Sequence, residues 1–154
     1  MTNKPYQHAL LSAMVIFRDG NRILLLRRQN TGWCNNHYTF PTGHVDEGES
    51  IVAAATREAK EECNLEVMPK DLIFKHVIQR PREGHPKENL IYIDFIFEAK
   101  NWQGTAKIGE LNKSDDLIWA NPKELEKLKL TPTTEISLKQ IAQGEILSML
   151  PYRI

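Results

Sequence analysis

Hydrophobic residues cluster in several short segments whose patterns predict strands. Ala9–Phe17 is apolar on both alternating faces, which predicts a strand that is covered on both sides. Asp19–Asn21 has the composition of a hairpin turn, so Arg22–Arg28 is predicted to be the returning strand. Further strands are predicted at Tyr38–Phe40, Leu72–Arg80, Leu90–Ala99 and Leu117–Ala120. The connections include a predicted turn at Pro41–Gly43 and a predicted exposed loop at Pro81–Asn89.

Helices are predicted where a capping residue precedes good helix formers. Ser50 has the side chain of an N-cap, and a helix is predicted from there through Cys63. Asn121–Pro122 and Thr131–Pro132 each place a cap before proline at the first helical position, which predicts two further helices. One early helix among strands, followed by helices at the end, predicts a mixed α/β sandwich rather than a helical bundle.

Length and charge narrow the function classes. At 154 residues the chain is large enough for one core, and we expect residues 1–154 to form a single domain. Lys plus Arg and Asp plus Glu both number 20, so the formal net charge is zero and no bulk field favours nucleic acid or a membrane as a partner. No apolar run has the length of a membrane span, and neither Cys34 nor Cys63 belongs to a disulfide or metal motif. A cytoplasmic location is therefore expected.

The first helix carries three acids near its C-terminal end. Glu58, Glu61 and Glu62 repel one another at this spacing, and carboxylates are unfavourable at the negative end of the helix dipole. On a helical wheel they form an arc beside the stripe that is expected to face the core. That stripe consists of Val52, Ala55, Ala59 and Cys63.

Two interpretations of the acidic arc are open. It could be a solvated face, in which neighbouring Glu–Lys pairs add a little helix stability. It could instead hold a divalent cation, because Mg²⁺ prefers oxygen ligands and often bridges carboxylates to phosphates. A glycine turn and Glu49 precede the helix and Arg57 is available as a cationic partner, which favours the cation. The alternating Asp/Asn ligands of an EF-hand are missing from the sequence.

The segment Gly43–Leu65 resembles the Nudix box, G-x5-E-x7-R-E-U-x-E-E-x-G-U, in which U is aliphatic. Asn64 replaces the expected glycine, but asparagine also tolerates a left-handed helix cap. Ala59 is a small occupant of an aliphatic position. The resemblance implies an α/β fold, the Nudix α/β/α sandwich, with a mixed β-sheet between helices and the box forming a loop–helix–loop. The glycine and charged positions of the box are filled by Gly43, Glu49, Arg57, Glu58, Glu61 and Glu62.

The resemblance also implies a reaction. Nudix hydrolases cleave a nucleoside diphosphate linked to another group and use Mg²⁺, for which Mn²⁺ is a substitute. Glu61 is expected to contribute to a further ion or to deprotonate water. Arg57 is expected to orient the acids through Glu49 rather than to bind phosphate. Carried over to this sequence, the expected metal ligands are Glu58, Glu62, Glu61 and the carbonyl of Gly43.

Three residues outside the core of the motif are further candidates. Some members of the family add a downstream acid to the metal site, and Glu110 is placed for that role, although a surface glutamate is the alternative. Arg28 closes the second strand and could grip a phosphate with two donors, or it could cap the rim. His44 could approach phosphate or simply be exposed.

Candidate contacts to the rest of the substrate are less constrained by the motif. Trp33 could stack on a base or close over an edge of the core. Asp94 interrupts an apolar strand, and a buried carboxylate needs partners, so it could read a base or sugar or make an internal hydrogen bond. Arg80 lies in a segment that could line the mouth of a pocket.

A nucleoside triphosphate is the expected substrate, with nucleoside monophosphate and pyrophosphate as products. ADP-ribose or another nucleotide sugar is the alternative. A Nudix-fold module that senses a nucleotide without cleaving it is the alternative from another class, although such a module would be expected to lose box acids. The expected partner is a small-molecule nucleotide. The resemblance also implies a possible homodimer, since dimers are common in the family.

Overall fold

The computed structural model describes residues 6–82 and 90–151. The strands are β1 (His8–Ile16), β2 (Arg18–Asp19), β3 (Arg22–Arg28), β4 (Tyr38–Thr39), β5 (Thr42–His44), β6 (Leu72–Pro81), β7 (Leu90–Ala99), β8 (Ser114–Ala120) and β9 (Leu147–Met149). The helices are α1 (Ile51–Cys63), α2 (Pro122–Leu125) and α3 (Pro132–Ala142), with a 3₁₀ turn at Pro69–Asp71.

The strands form two sheets. The larger sheet is mixed and has the order β5-β1-β7-β6-β9, in which β1 pairs with β7 in parallel and with β5 in antiparallel orientation. In the smaller sheet, β3 pairs in antiparallel orientation with β8 along its length and with β2 and β4 towards its two ends. The parallel pairing of β1 and β7 brings Ser12 beside Asp94, which matters for the site below.

Alternating residues of β1 enter two separate cores, one on each face of the sheet. Ala13 and Val15 pack in a cluster with the buried alanines of α1, whereas Met14 and Ile16 pack in a second cluster with apolar residues of α2 and α3. Because successive side chains of a strand point to opposite faces, both faces of β1 must be apolar. The predicted α/β/α sandwich with a mixed sheet is confirmed.

Helix α1 begins and ends where its capping residues predict. The Ser50 side chain accepts a hydrogen bond from the backbone N–H of Ala53 at 3.1 Å. Asn64 ends the helix in the left-handed conformation, with φ of 60°, as expected of its replacement of glycine. Within residues 6–82 and 90–151, no helix is both long and apolar enough to cross a bilayer.

The structure differs from the sequence-based predictions in several strands. Thr42 and Gly43, predicted in a turn, belong to β5, because hydrogen bonds with β1 extend this segment and a local turn signal cannot reveal such pairing. Strand β9 was not predicted, since it is short and depends on pairing with β6. Pro81 ends β6 rather than opening a loop, and the rest of that predicted loop, apart from Arg82, lies outside the described residues.

Candidate functional site

Three carboxylates from distant parts of the chain meet beside helix α1. Glu58 and Glu62 lie one turn apart on the helix, and Glu110 lies in the segment before β8. One carboxylate oxygen from each lies within 4.8 Å of the others. Among the residues that the structure describes, this is the one such group of His, Cys, Asp or Glu side chains. The spacing lets one ion contact all three carboxylates.

The backbone of strand β5 lies directly against the carboxylates of Glu58 and Glu62. A Cβ atom added at Gly43 would overlap the carboxyl group of Glu58, so the missing side chain is the space in which Glu58 lies. The backbone N–H of Thr42 donates a hydrogen bond to Glu62 Oε2 at 2.7 Å. The glycine of the motif therefore has a steric purpose: it allows a helix carboxylate to lie directly against a strand.

Glu110 reaches the group through close backbone packing at the end of α1. The N–H of Gly109 donates to the carbonyl of Glu62 at 2.9 Å, and a side chain at position 109 would overlap the carbonyl oxygen of Glu61. Lys113 Nζ contacts Glu110 Oε1 at 2.9 Å. The other oxygen, Oε2, is buried with no hydrogen-bond partner in the described part of the chain. An unpartnered buried carboxylate oxygen fits a site built for a hard cation.

The group is electrostatically unfavourable as a set of free carboxylates. Burial raises the pKa of Glu62 to about 8, and the neighbouring charges of Glu58 and Glu110 act in the same direction, opposed by the Thr42 N–H. Burial also raises the pKa of Glu58, although the hydrogen bond from Arg57 opposes the shift. A divalent cation would favour the ionised form of each acid, so the donor set fits such an ion.

Arg57 ties the helix to the loop that precedes it. Its Nε and Nη2 atoms each donate to Glu49 at 2.9 Å, and Nη2 also donates to the carbonyl oxygen of His44 at 2.9 Å. Its Nη1 atom donates to Glu58 at 2.6 Å. The same contacts lower the pKa of Glu49 to about 2, chiefly through the Arg57 hydrogen bonds. Arg57 is thus placed to orient Glu58, and its contact with Glu49 is the one that the resemblance implied.

Glu61 lies apart from the three grouped acids. Its side chain is 49% exposed, and its carboxylate accepts a hydrogen bond from Arg57 Nη1 at 3.2 Å. The sequence nominated Glu58, Glu61 and Glu62 as metal ligands, with Glu110 as a further candidate. The structure groups Glu58 and Glu62 with Glu110, and leaves Glu61 beside them on the solvent side.

A cavity of about 760 Å³ opens beside the carboxylates. Glu58, Glu62 and Gly43 contribute to its wall. A volume of this size is ordinary for a small-molecule site. Its lining also includes all five side chains that the sequence nominated as substrate contacts, namely Arg28, Trp33, His44, Arg80 and Asp94.

Arg28 lines this cavity and has no carboxylate hydrogen-bonded to it among the residues that the structure describes. Its Nε donates to the backbone oxygen of Trp33 at 3.0 Å, and its guanidinium lies 5.2 Å from the centre of the Trp33 ring. Within residues 6–82 and 90–151 it forms no salt bridge. Burial lowers its pKa, the charge of Glu62 opposes the shift, and the residue remains a cation at neutral pH. Such a group is suited to an anionic ligand.

Arg80 and Asp94 form a buried ion pair in the same cavity. Arg80 Nε donates to Asp94 Oδ2 at 2.5 Å, and the Ser12 hydroxyl donates to Asp94 Oδ1. Asp94 is only 1% exposed, so its carboxylate is held by internal partners, which was the alternative weighed for it from the sequence. The Arg80 guanidinium also lies 4.0 Å from the centre of the Tyr92 ring.

Comparison with known proteins shows the family to which this chain belongs. The model of the NUDIX domain matches residues 8–142. The chain belongs to the Nudix family. The match includes β1 through α3, and therefore every element that carries a site residue.

Two known proteins are similar in sequence to this Nudix chain over part of their length. A protein named ADP-ribose pyrophosphatase from Methanocaldococcus jannaschii is 32% identical over 111 residues, covering 72% of this chain and 59% of that protein. A protein named dihydroneopterin triphosphate diphosphatase from Escherichia coli is 34% identical over 97 residues, covering 54% of this chain and 63% of that protein. The match thus spans about three fifths of the length of each relative.

Solved structures support the same fold for the Nudix chain. A MutT Nudix hydrolase from Burkholderia pseudomallei superposes with a TM-score of 0.76 at 21% identity, covering 86% of this chain and 98% of that one. A MutT protein from Methanosarcina mazei gives a TM-score of 0.72 at 15% identity, covering 91% and 97%. At these identities the likeness establishes the architecture.

Three side chains of the Nudix site were not predicted from the sequence, namely Ser12, Tyr92 and Lys113. Ser12 interrupts an apolar strand, as the nominated Asp94 does, and two such interruptions in pairing strands are a usable signal once the pairing is known. Tyr92 lies two residues before Asp94, hence on the same face of β7, but an aromatic residue in an apolar strand looks like core. Lys113 lies in a polar turn and offers no local signal.

Proposed function

We propose that this chain is a Mg²⁺-dependent hydrolase that cleaves a pyrophosphate linkage in a small nucleotide. The observation that carries the proposal is the meeting of Glu58, Glu62 and Glu110, with one buried unpartnered oxygen, beside a cavity that also contains Arg28. Membership of the Nudix family supports the same reaction. Carboxylates that bind a cation and an arginine that binds an anion, such as Arg28, are what a diphosphate substrate requires.

Glu58, Glu62 and Glu110 would hold the cation, with the backbone carbonyl of Gly43 as a further ligand. When bound, Mg²⁺ would offset the phosphate charge and lower the pKa of a coordinated water, and Mn²⁺ would serve as a substitute. Arg57 fixes the carboxylate of Glu58 by a direct hydrogen bond. Glu61 keeps two alternative roles, the holding of a further ion or the acceptance of a proton from the attacking water.

Arg28 and His44 are proposed to bind the phosphates. The guanidinium of Arg28 has its terminal nitrogens available for two parallel hydrogen bonds, because its Nε is the atom that contacts Trp33. His44 lies in β5 next to Gly43, and its side chain lines the cavity. Both residues therefore lie on the wall of the cavity to which Glu58 and Glu62 also contribute.

A nucleoside triphosphate remains the proposed substrate, giving nucleoside monophosphate and pyrophosphate. One relative is named for a triphosphate substrate, which supports the same type of cleavage. The other is named for ADP-ribose, and its match covers more of this chain, so ADP-ribose or another nucleotide sugar is the second candidate. A nucleotide sensor without turnover is the third candidate. Such a sensor would not need the acids of the Nudix box, all of which are present in this chain.

The deciding experiment is phosphate release over a panel of nucleoside triphosphates and nucleotide sugars, with and without Mg²⁺. We expect Mg²⁺-dependent turnover of one class and a loss of about 100-fold or more for Glu62→Gln. Glu61→Gln, measured across pH at saturating Mg²⁺, separates the two roles of Glu61. If Glu61 accepts the proton of water, the substitution removes the acidic limb of the kcat profile, whereas the loss of a metal ligand leaves that limb in place. Tight nucleotide binding without turnover under Mg²⁺ and Mn²⁺ would overturn the hydrolase in favour of the sensor.

Homodimerisation and a cytoplasmic location stay predictions. Sedimentation of the purified chain measures the first, and fractionation of cells measures the second.

A further inference from the structure

Tyr92 lies at the centre of a row of planar side chains along the cavity wall. Its ring lies 4.0 Å from the Arg80 guanidinium carbon and stacks with the His44 ring at a centroid distance of 5.7 Å and an angle of 29°. The Tyr92 hydroxyl lies 3.3 Å from His44 Nε2. The Arg80 guanidinium also lies 5.1 Å from the Trp33 ring centre. Arg80 is therefore held by two aromatic rings in addition to its ion pair.

The charge of Arg80 is already balanced within the protein. Its Nε and Nη2 atoms face the two oxygens of Asp94, at 2.5 and 3.4 Å. Asp94 is almost fully buried, and the Arg80 side chain is 14% exposed. The Nη1 atom has no hydrogen-bond partner among the described residues, and Arg80 lines the cavity. Because its carboxylate partner lies against it, the guanidinium offers N–H donors without the net attraction for anions that Arg28 retains.

We propose that Tyr92 is a positioning residue that holds Arg80 to recognise an uncharged, hydrogen-bond-accepting edge of the substrate beyond its phosphates. The substrate class that fits is a diphosphate attached to a planar ring with carbonyl or ring-nitrogen acceptors, because the donor fork of arginine matches such an edge. The assignment rests on the proposed function only in taking the phosphates to lie at the carboxylates and Arg28. Two arginines of one cavity would then bind different parts of the ligand: Arg28 would bind the anionic phosphates, and Arg80 would bind the uncharged ring edge.

The competing interpretation is a purely structural ion pair. Arg80 and Tyr92 are paired residues of β6 and β7, so the Arg80–Asp94 contact could merely stabilise two neighbouring strands. A structural role would affect the folding of the whole domain and hence the binding of every ligand alike. A recognition role affects only ligands that carry the ring, which makes the two interpretations separable.

The test compares binding of two ligand types in Mg²⁺ by calorimetry. The ligands are α,β-methylene analogues of the four common ribonucleoside triphosphates and of ADP-ribose, which resist cleavage, and inorganic tripolyphosphate, which has no ring. The variants are Tyr92→Leu, Tyr92→Phe and Arg80→Lys. Lysine keeps the ion pair with Asp94 and thus the fold, but it loses the planar fork. Arg18→Met is the matched control, because Arg18 forms an ion pair with Glu98 of the same strand β7 and does not line the cavity.

We expect Tyr92→Leu and Arg80→Lys to raise the Kd of the analogue that binds wild type most tightly by about tenfold, and the Kd of tripolyphosphate by less than about twofold. Arg18→Met should leave both values near wild type. Tyr92→Phe keeps the ring beside Arg80 but loses the hydroxyl that faces His44, so its Kd for the analogue should lie between those of wild type and Tyr92→Leu. Equal weakening of both ligand types, no weakening, or a wild type that prefers tripolyphosphate to every analogue would each overturn the inference. Because binding needs no turnover, an inactive wild type would overturn the proposed hydrolase and leave this comparison decisive.

Discussion

The carboxyl group of Glu58 lies in the space that a side chain at position 43 would occupy. Gly43 belongs to β5, which pairs with β1, so the strand cannot move away without loss of hydrogen bonds in the larger sheet. Glu58 is fixed on its other side by Arg57 at 2.6 Å. The position of this carboxylate is therefore set by a strand on one side and an arginine on the other.

Gly43→Ala is expected to abolish the metal site while the chain still folds. The new methyl group would displace the Glu58 carboxylate, and a displacement of about 1 Å at a reacting centre can cost roughly 100-fold in rate. Metal affinity by calorimetry and kcat with the best substrate are the measurements.

Gly20→Ala is the matched control for this substitution. Its φ of 60° makes alanine unfavourable, but an added Cβ would meet nothing within 4 Å. It should lower the stability by ~1 kcal/mol and leave metal affinity unchanged. If Gly43→Ala also retained full metal affinity, the steric argument for this glycine would be incorrect.

Arg57→Lys is expected to lower kcat by roughly tenfold or more with little change in KM. Lysine has one nitrogen and cannot reproduce the two parallel contacts with Glu49 together with those to Glu58 and the His44 carbonyl. Steady-state kinetics checks the prediction. A rise in KM without a fall in kcat would instead indicate that Arg57 contacts substrate.

Glu110→Gln is expected to weaken Mg²⁺ or Mn²⁺ binding by about tenfold, which corresponds to ~1.4 kcal/mol. The substitution removes the charge from the carboxylate that has the unpartnered buried oxygen. Glu66→Gln is the control, because Glu66 pairs with Lys60 and lies outside the carboxylate group. Equal metal affinity in the two variants would leave Glu110 as an ordinary structural glutamate.

Lys113→Met is expected to have the opposite effect and to tighten metal binding by roughly threefold. Its ammonium group contacts Glu110 at 2.9 Å and competes with a cation for the same carboxylate. Lys60→Met, which breaks an exposed pair with Glu66, provides the comparison. Weaker metal binding in Lys113→Met would show that the lysine supports the site rather than competing with the ion.

The stability of the metal-free protein is expected to fall as pH rises from about 4.5 to about 8. Glu62 has its pKa raised to about 8 in the folded chain, against an ordinary value of 4.5. Between these values the folded state binds more protons than the unfolded state, so the free energy of unfolding decreases with pH. Saturating Mg²⁺ should reverse the trend, because the ion needs the ionised carboxylate.

Thermal unfolding between pH 5 and 9, in EDTA and in Mg²⁺, measures this effect. Glu62→Gln has no titrating group at this position and should have a flatter profile in EDTA. A metal-free Tm that rises over this range, or a slope that Glu62→Gln leaves unaltered, would contradict the assignment of the raised pKa to Glu62.

Local signals predicted the parts of the fold that local interactions stabilise. The hydroxyl of Ser50 and the left-handed backbone of Asn64 set the ends of α1, and both effects act within a few residues. The strand at Thr42–His44 was missed because its hydrogen bonds go to β1, far away in sequence. Strand β9 was also missed, because three residues are too few to give a recognisable alternation of apolar and polar positions.

The sequence by itself determined the family, the α/β/α architecture and the acids available to a cation. The family and the α/β/α architecture are implied by the resemblance of Gly43–Leu65 to the Nudix box, and hydrophobic periodicity independently predicts a mixed α/β sandwich; both are properties of the linear chain. Only the tertiary structure decided which acids meet, since Glu110 joins Glu58 and Glu62 through packing of Gly109 against the end of α1, while Glu61 stays at the solvent edge. It also decided that Asp94 neutralises Arg80, because strand pairing and burial bring together residues that no local pattern connects.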